Sequence, residues 1–230
     1  MPNDIVPELL KAIETDFQSM MMKDRNILAI TKRIRDGTAK SADIHAYSAR
    51  AGELLSKSLK NNMTPDVLPD GRLYWNIADR IVRPTLQNNY NLVNDIATDV
   101  QKIVDAKGGI GLGTVKADFP DLRIKDLIEK MVEDEDFAKW LGEPIINNSE
   151  AFADDFMRAN ASARDEVGLK TYIVRTSEYR ACEWCENLAG RYEYGHEPDE
   201  VYARHEFCRC SVTFESEKGR QNVWTKKWYG

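Results

Sequence analysis

No stretch of the chain approaches the roughly 18 to 20 consecutive apolar residues that a membrane-spanning helix needs. The opening residues, MPNDIVPELLKAIETDF, carry acids early and lack a basic start followed by an apolar core, so they do not read as a secretory signal. No internal repeat is present. Positive charge is not in excess: the formal net charge is −6, which argues against a whole-surface nucleic-acid binder and leaves room for a local basic patch only. Cysteine is scarce, with four in all, and every one lies between residues 182 and 210. These absences favour a cytoplasmic or intracellularly assembled protein. In a reducing compartment, clustered thiols read as metal ligands before they read as disulfides. The rest of the composition, 42% hydrophobic and 30% charged, is that of an ordinary soluble protein. At 230 residues the chain can bury a substantial core in one or two domains.

Residues 1–165 read as a helical body. Ile5, Leu9, Leu10, Ile13, Phe17 and Met20 recur at intervals of three and four, predicting a helix that begins near Pro7. Asp24 can cap a second helix that Gly37 would stop, and Ser41 precedes a third through Leu59, completing an N-terminal part over residues 1–62. The stretch MTPDVLPDGRLYW holds two prolines and an Asp-Gly turn, so residues 63–73 form a connection. From Ile77 to Val104 a long helical pattern follows, which Pro84 is expected to kink or divide because proline cannot donate the helical hydrogen bond. KGGIGLGTVKADFPDL reads as a flexible loop. It is a poor phosphate loop, since it follows a helix where a dinucleotide loop follows a strand. Helical segments around Ile124–Val132 and Ser149–Ala163, with WLGEPI between them, complete residues 74–165.

After Gly168 the texture changes. LKTYIVRT and CSVTFE are short and rich in β-branched and aromatic residues, and GRYEY offers a third strand. The expected fold is therefore mainly α, with a small C-terminal α+β module, resembling a zinc ribbon or knuckle, over residues 166–230.

That module holds the chain's chemistry. Zinc takes four thiolate or imidazole ligands in a tetrahedron, and the tight turn Cys182-Glu-Trp-Cys185 can bring two sulfurs onto one ion. About 20 residues later, HEFCRC supplies His205, Cys208 and Cys210, a separation normal for a zinc ribbon or knuckle. Five donors compete for four places: Cys182, Cys185 and Cys208 form the base set, with His205 or Cys210 completing it. A module of roughly 60 residues has little core of its own, so a structural metal would staple it. The alternatives are unmetallated thiols or two disulfides. A catalytic zinc finds no support in spacing. The order of motifs is wrong for a zinc deaminase, and neither HEPDE nor HEFCRC is the His-Glu-x-x-His of a metalloprotease, so no catalytic residue is assigned. The final KGRQNVWTKKWYG carries Lys218, Arg220, Lys226 and Lys227 without an acid. Its Trp224, Trp228 and Tyr229 could stack on nucleic acid or pack onto the module.

CEWCENLAGRYEY, VYARHEFCRCSVTFE and GRQNVWTKKW together resemble the C-terminal signature of tailed-bacteriophage minor capsid proteins of the head-morphogenesis group. LPDGRLYWNIADRIVRPTLQNNYNLV and EPIINNSEAFADDFMRANA also look like the prophage-encoded branch, so the likeness covers about residues 64–230. The broader group often has proline after the histidine, where this chain has Glu206. The resemblance implies a structural virion component in few copies, assembled in the host cytoplasm near the portal. Its partners would be the portal or other capsid proteins, with packaged DNA reached through the basic tail and no membrane involved. Some relatives are described as entering the head or acting during DNA packaging and ejection. A second reading is a phage-borne nuclease or toxin in which His205 and Glu206 are the working groups.

Overall fold

The structure, a computed structural model, describes residues 4–178 and 181–217, with the backbone alone at residues 220–221 and 228–229. Helix α1 runs Val6–Lys23 with Pro7 in its first turn, where a missing N–H costs nothing. Asp24 caps α2 (Arg25–Arg35), its Oδ1 accepting from the backbone N–H of Asn26 and of Ile27 at 3.0 Å each. Gly37, with φ +66°, ends that helix in a left-handed turn. Helix α3 spans Ser41–Asn62, and two short 3-10 turns, Pro65–Val67 and Pro69–Gly71, fill the proline-rich connection.

Helix α4 spans Trp75–Gly108 as one element, so Pro84 does not divide it. Ile81, Val82 and Leu86 on either side of the proline are fully buried. Anchoring those three side chains in the core outweighs one missing hydrogen bond. The glycine-rich loop is tied down at its centre. Asn160 accepts from the Val115 N–H at 2.9 Å and donates to the Val115 carbonyl at 2.8 Å. Helix α5 is Asp121–Glu133 and α6 is Glu143–Glu166. The last begins six residues earlier than the pattern of apolar residues suggests, because Pro144 sits in its first turn and starts the helix.

Helices α3, α4 and α6 form the centre of the body, with α1 and α5 packed around them. One apolar cluster runs through all of these, from Ile13 and Phe17 to Phe152 and Phe156. Gly52 on α3 lets α6 come close: a Cβ there would stand 2.7 Å from Ser149 Cβ and 3.0 Å from Ile146 Cα. The Ser149 hydroxyl uses that proximity to donate to the Ser48 carbonyl at 2.6 Å.

The C-terminal module is built on strands β1 (Thr171–Thr176), β2 (Gly190–Glu193) and β3 (Ser211–Ser216), with a short helix α7 (Glu183–Leu188) between the first two. The sheet is antiparallel in the order β2-β1-β3, with Ile173 opposite both Tyr192 and Phe214. Residues 220–221 (β4) and 228–229 (β5) pair antiparallel beyond it. The mainly α body with a small α+β module is thus present. The module's own apolar cluster is small, with Ile173, Val201 and Val212 buried, and it takes Ala161 from α6. Arg164 of α6 joins the two parts again. Its Nη2 lies 2.5 Å from Asp105 Oδ2, and its guanidinium covers the Phe214 ring at 4.5 Å.

Candidate metal centre

In β1 the burial alternates, with Thr171, Ile173 and Arg175 inward and Tyr172 and Val174 less covered. Arg175 is 2% exposed. Its Nη1 donates to the carbonyls of Val201 and Ala203, and its Nη2 lies 3.9 Å from Cys185 Sγ and 3.8 Å from Cys208 Sγ. A guanidinium thus sits at the floor of the cysteine cluster.

Cys182 is the N-cap of α7 and Cys185 is three residues inside it. The Cys182 sulfur accepts from the Cys185 N–H at 3.5 Å. One tight turn therefore places both sulfurs together, as the Cys-x-x-Cys spacing requires. That N–H is also the main reason the exposed Cys182 thiol has its pKa lowered. The buried Cys185 behaves oppositely: burial, with Cys210 and Cys208 beside it, pushes its thiol up to about 12. Burial raises Cys208 as well.

The His205 ring is oriented from both ends. Its Nδ1 lies 2.6 Å from the Glu206 carbonyl, so Nδ1–H donates there and Nε2 keeps a lone pair. Nε2 is 3.0 Å from Cys185 Sγ and 3.3 Å from Cys182 Sγ. An imidazole held in this tautomer by a backbone carbonyl is the form that ligates metals. Trp184 contacts the same ring edge-on at 5.6 Å between centroids.

All five expected donors are brought into one neighbourhood as two triads, Cys182–Cys185–His205 and Cys185–Cys208–Cys210, in each of which the donor atoms lie within 4.8 Å of one another. Cys185 belongs to both. Its sulfur is 3.8 Å from Cys208 Sγ, about the edge of a tetrahedron with zinc–sulfur bonds of roughly 2.3 Å. These groups could hold a metal ion. The donor set itself fits one: Cys185, Cys208 and Cys210 are buried free thiols, and a buried arginine faces two of them. Left neutral, those thiols would give Arg175 no counter-charge. As thiolates on a cation they give it one, while the cation offsets their own burial.

The second ligand loop is mounted on α6. Glu143, Asn147, Glu150 and Asp154 follow at intervals of four, three and four, which makes a polar stripe along one face of the helix. Arg209 forks onto Glu143 at 2.9 and 3.0 Å and reaches Glu150 at 3.4 Å. Asn147 Nδ2 donates to the His205 carbonyl at 3.1 Å, and Arg204 pairs with both Asp154 oxygens. His45 of α3 adds a bond from Nε2 to the Val212 carbonyl at 2.5 Å, with Nδ1 3.8 Å from Asp154 Oδ1. Burial holds that histidine's pKa down. The same burial pushes Glu150 up to about 7 despite the two arginines.

Cysteine chemistry alone does not reveal Arg175, Arg204, Arg209 or the α6 stripe. The one readable signal is a set of acids and an amide at helical spacing among apolar neighbours. The Glu206 side chain is exposed, and only its carbonyl joins the site. The side chains of the basic tail, including Lys218, Arg220, Trp224, Lys226, Lys227, Trp228 and Tyr229, lie outside the described residues. No described helix is long and apolar enough to cross a membrane. No protein-family model, no curated protein and no solved structure matches the chain.

Proposed function

We propose that this chain is a minor head-morphogenesis component of a tailed bacteriophage, a structural, non-enzymatic virion protein whose C-terminal module is fastened by one zinc ion. The observation that carries the fastener role is Cys185. Its sulfur is buried and shared by two donor triads, each of which draws on both ligand loops, above the Arg175 guanidinium. Cys182, Cys185, His205 and Cys208 are the ligands, because Nε2 of His205 already faces both sulfurs of the Cys-x-x-Cys turn. Cys210 is then a buried thiol beside the set. Zinc in that place stabilises a module whose own apolar cluster is too small to fold unaided.

The nuclease or toxin reading needs His205 as a free base. Both of its ring nitrogens are engaged, one by a carbonyl and one by the sulfurs, which favours the ligand role. Support for the virion role comes from the Cys/His block and upstream segments that resemble head-morphogenesis proteins, and the mainly helical body is compatible with that role. Assembly near the portal, in the host cytoplasm and then in the virion, follows from that likeness.

The test is co-expression with the portal and major capsid proteins of a phage that encodes this chain. Purified heads are then analysed by quantitative mass spectrometry. Retention of the chain in heads, at far fewer copies than the major capsid protein, is the expected result. Heads that form and package DNA without incorporating it would overturn the reading, as would plasmid cleavage lost in His205→Ala.

A further inference from the structure

Two exposed aromatic side chains stand on the two ligand loops. Trp184, between Cys182 and Cys185, is 39% exposed, and Phe207, between His205 and Cys208, is 66% exposed. Phe207 also has φ +59°, a left-handed backbone that disfavours any residue with a Cβ and suits glycine. A large apolar ring held in solvent on a strained backbone contributes nothing to the fold, so it points to a contact outside it. Trp184 is rigidly placed: its ring meets His205 at 5.6 Å on one side and the Arg175 guanidinium at 5.4 Å. Glu183 and Glu206 are the chain neighbours of Trp184 and Phe207, and they and Glu186 are exposed, with no ion-pair partner among the described residues. Among the described residues the nearby arginines are already engaged, Arg175 beneath the sulfurs and Arg204 and Arg209 with the acids of α6.

We infer that Trp184 and Phe207, with Glu183, Glu186 and Glu206, form a docking face for the C-terminal segment KGRQNVWTKKWYG of a second copy of this chain. The segment is the electrostatic complement: four cations, no acid, and three aromatic residues to meet two exposed rings. Three carboxylates at the face repel a nucleic-acid backbone, so the occupant is a basic peptide. It belongs to a second copy because β3 carries the chain away from the site. The ligands Cys208 and Cys210 precede β3, and residue 217 follows it, six residues or about 20 Å further on. Beyond it residues 220–221 pair with residues 228–229. Each copy so gives its tail to one neighbour and receives another's, a head-to-tail contact that can propagate around a ring. The face rests on the proposed zinc site, since the metal fixes both loops.

A fluorophore-labelled peptide of residues 218–230 is titrated with the zinc-loaded full chain and followed by anisotropy, alongside sedimentation velocity of the chain alone. Phe207→Gly removes the ring and keeps the turn, because glycine takes that backbone freely. The double variant Glu183→Gln/Glu206→Gln removes charge without changing shape. The expected result is saturable binding that either variant weakens at least tenfold and that added salt weakens, with self-association reduced in parallel. No saturable binding, binding equal in all three proteins, or self-association unchanged in both variants would overturn the proposal. Zinc is measured on every sample. Full zinc occupancy without peptide binding sinks the docking face alone, whereas protein that takes up no zinc sinks the zinc site, and peptide binding by that metal-free protein would show that the metal does not hold the face.

Discussion

Arg204 and Asp154 meet side-on in the interior, Nε 2.6 Å from Oδ2 and Nη2 2.9 Å from Oδ1, with side chains 5% and 2% exposed. One residue immediately precedes His205, a candidate ligand, and the other lies on α6, so this pair carries the helical body's geometry to the candidate metal site. Removing one partner strands a buried charge. Asp154→Ala is expected to cost about 3 to 5 kcal/mol in urea unfolding, against well under 1 kcal/mol for an exposed pair such as Lys32–Asp36. A cost no larger than that of the exposed pair would remove the clamp from the account.

Glu150 gives a pH signature. Burial raises its folded pKa to about 7 from an ordinary 4.5, so the folded state binds the proton more tightly than the unfolded one. Its contribution is fully present below pH 4.5 and is lost as pH rises through about 7, by up to roughly 3 kcal/mol at about 1.4 kcal/mol per unit. His45, whose pKa is lowered, works in the opposite sense below its ordinary value of 6.5. The measurement is therefore a difference: stability of Glu150→Gln minus that of the native chain should grow between pH 4.5 and 7. A flat difference across that range contradicts the assignment.

The ligand set separates two donors that sequence spacing treats alike. His205→Ala is expected to weaken zinc at least tenfold in a competition titration with a chromogenic chelator, whereas Cys210→Ser should keep one zinc at near-native affinity. The reverse ranking would assign the fourth place to Cys210.

Gly52→Ala tests the close approach of α3 and α6. In an exposed helix this change would stabilise by up to about 1 kcal/mol. Here the new Cβ meets Ser149 Cβ at 2.7 Å and backbone at 3.0 Å, so a net loss of about 1 to 3 kcal/mol is expected in thermal or urea unfolding. A stabilised variant would show that the helices can separate without cost.

Much of this arrangement is legible in the sequence, for reasons specific to each part. The helices declare themselves because Ile13 and Phe17, or Val93, Ala97 and Val100, repeat on one buried face. The Cys/His cluster is legible because all four cysteines fall in one short window and their spacing is chemically restrictive. That Pro84 does not divide its helix is not legible, since its local cost is known but the burial of Ile81 and Leu86 that outweighs it is a tertiary fact. Helix α7 escapes notice because six residues, EWCENL, hold too few apolar positions to show a period. Arg175 sits inward by strand alternation with Ile173, yet nothing local says that the inward side holds sulfur. The α6 stripe is visible as spacing, but its partners, Arg204 and Arg209, lie 50 or more residues away.

Whether one zinc ion joins the two ligand loops is decided by elemental analysis. The full chain, expressed without added metal and purified without a metal-affinity step, is measured by plasma mass spectrometry alongside Cys185→Ala. About one zinc per native chain is expected, with little or none in the variant and loss of amide-exchange protection in β1 and β3 when the native metal is chelated. Native protein that is free of metal, with those strands equally protected before and after chelation, would contradict it.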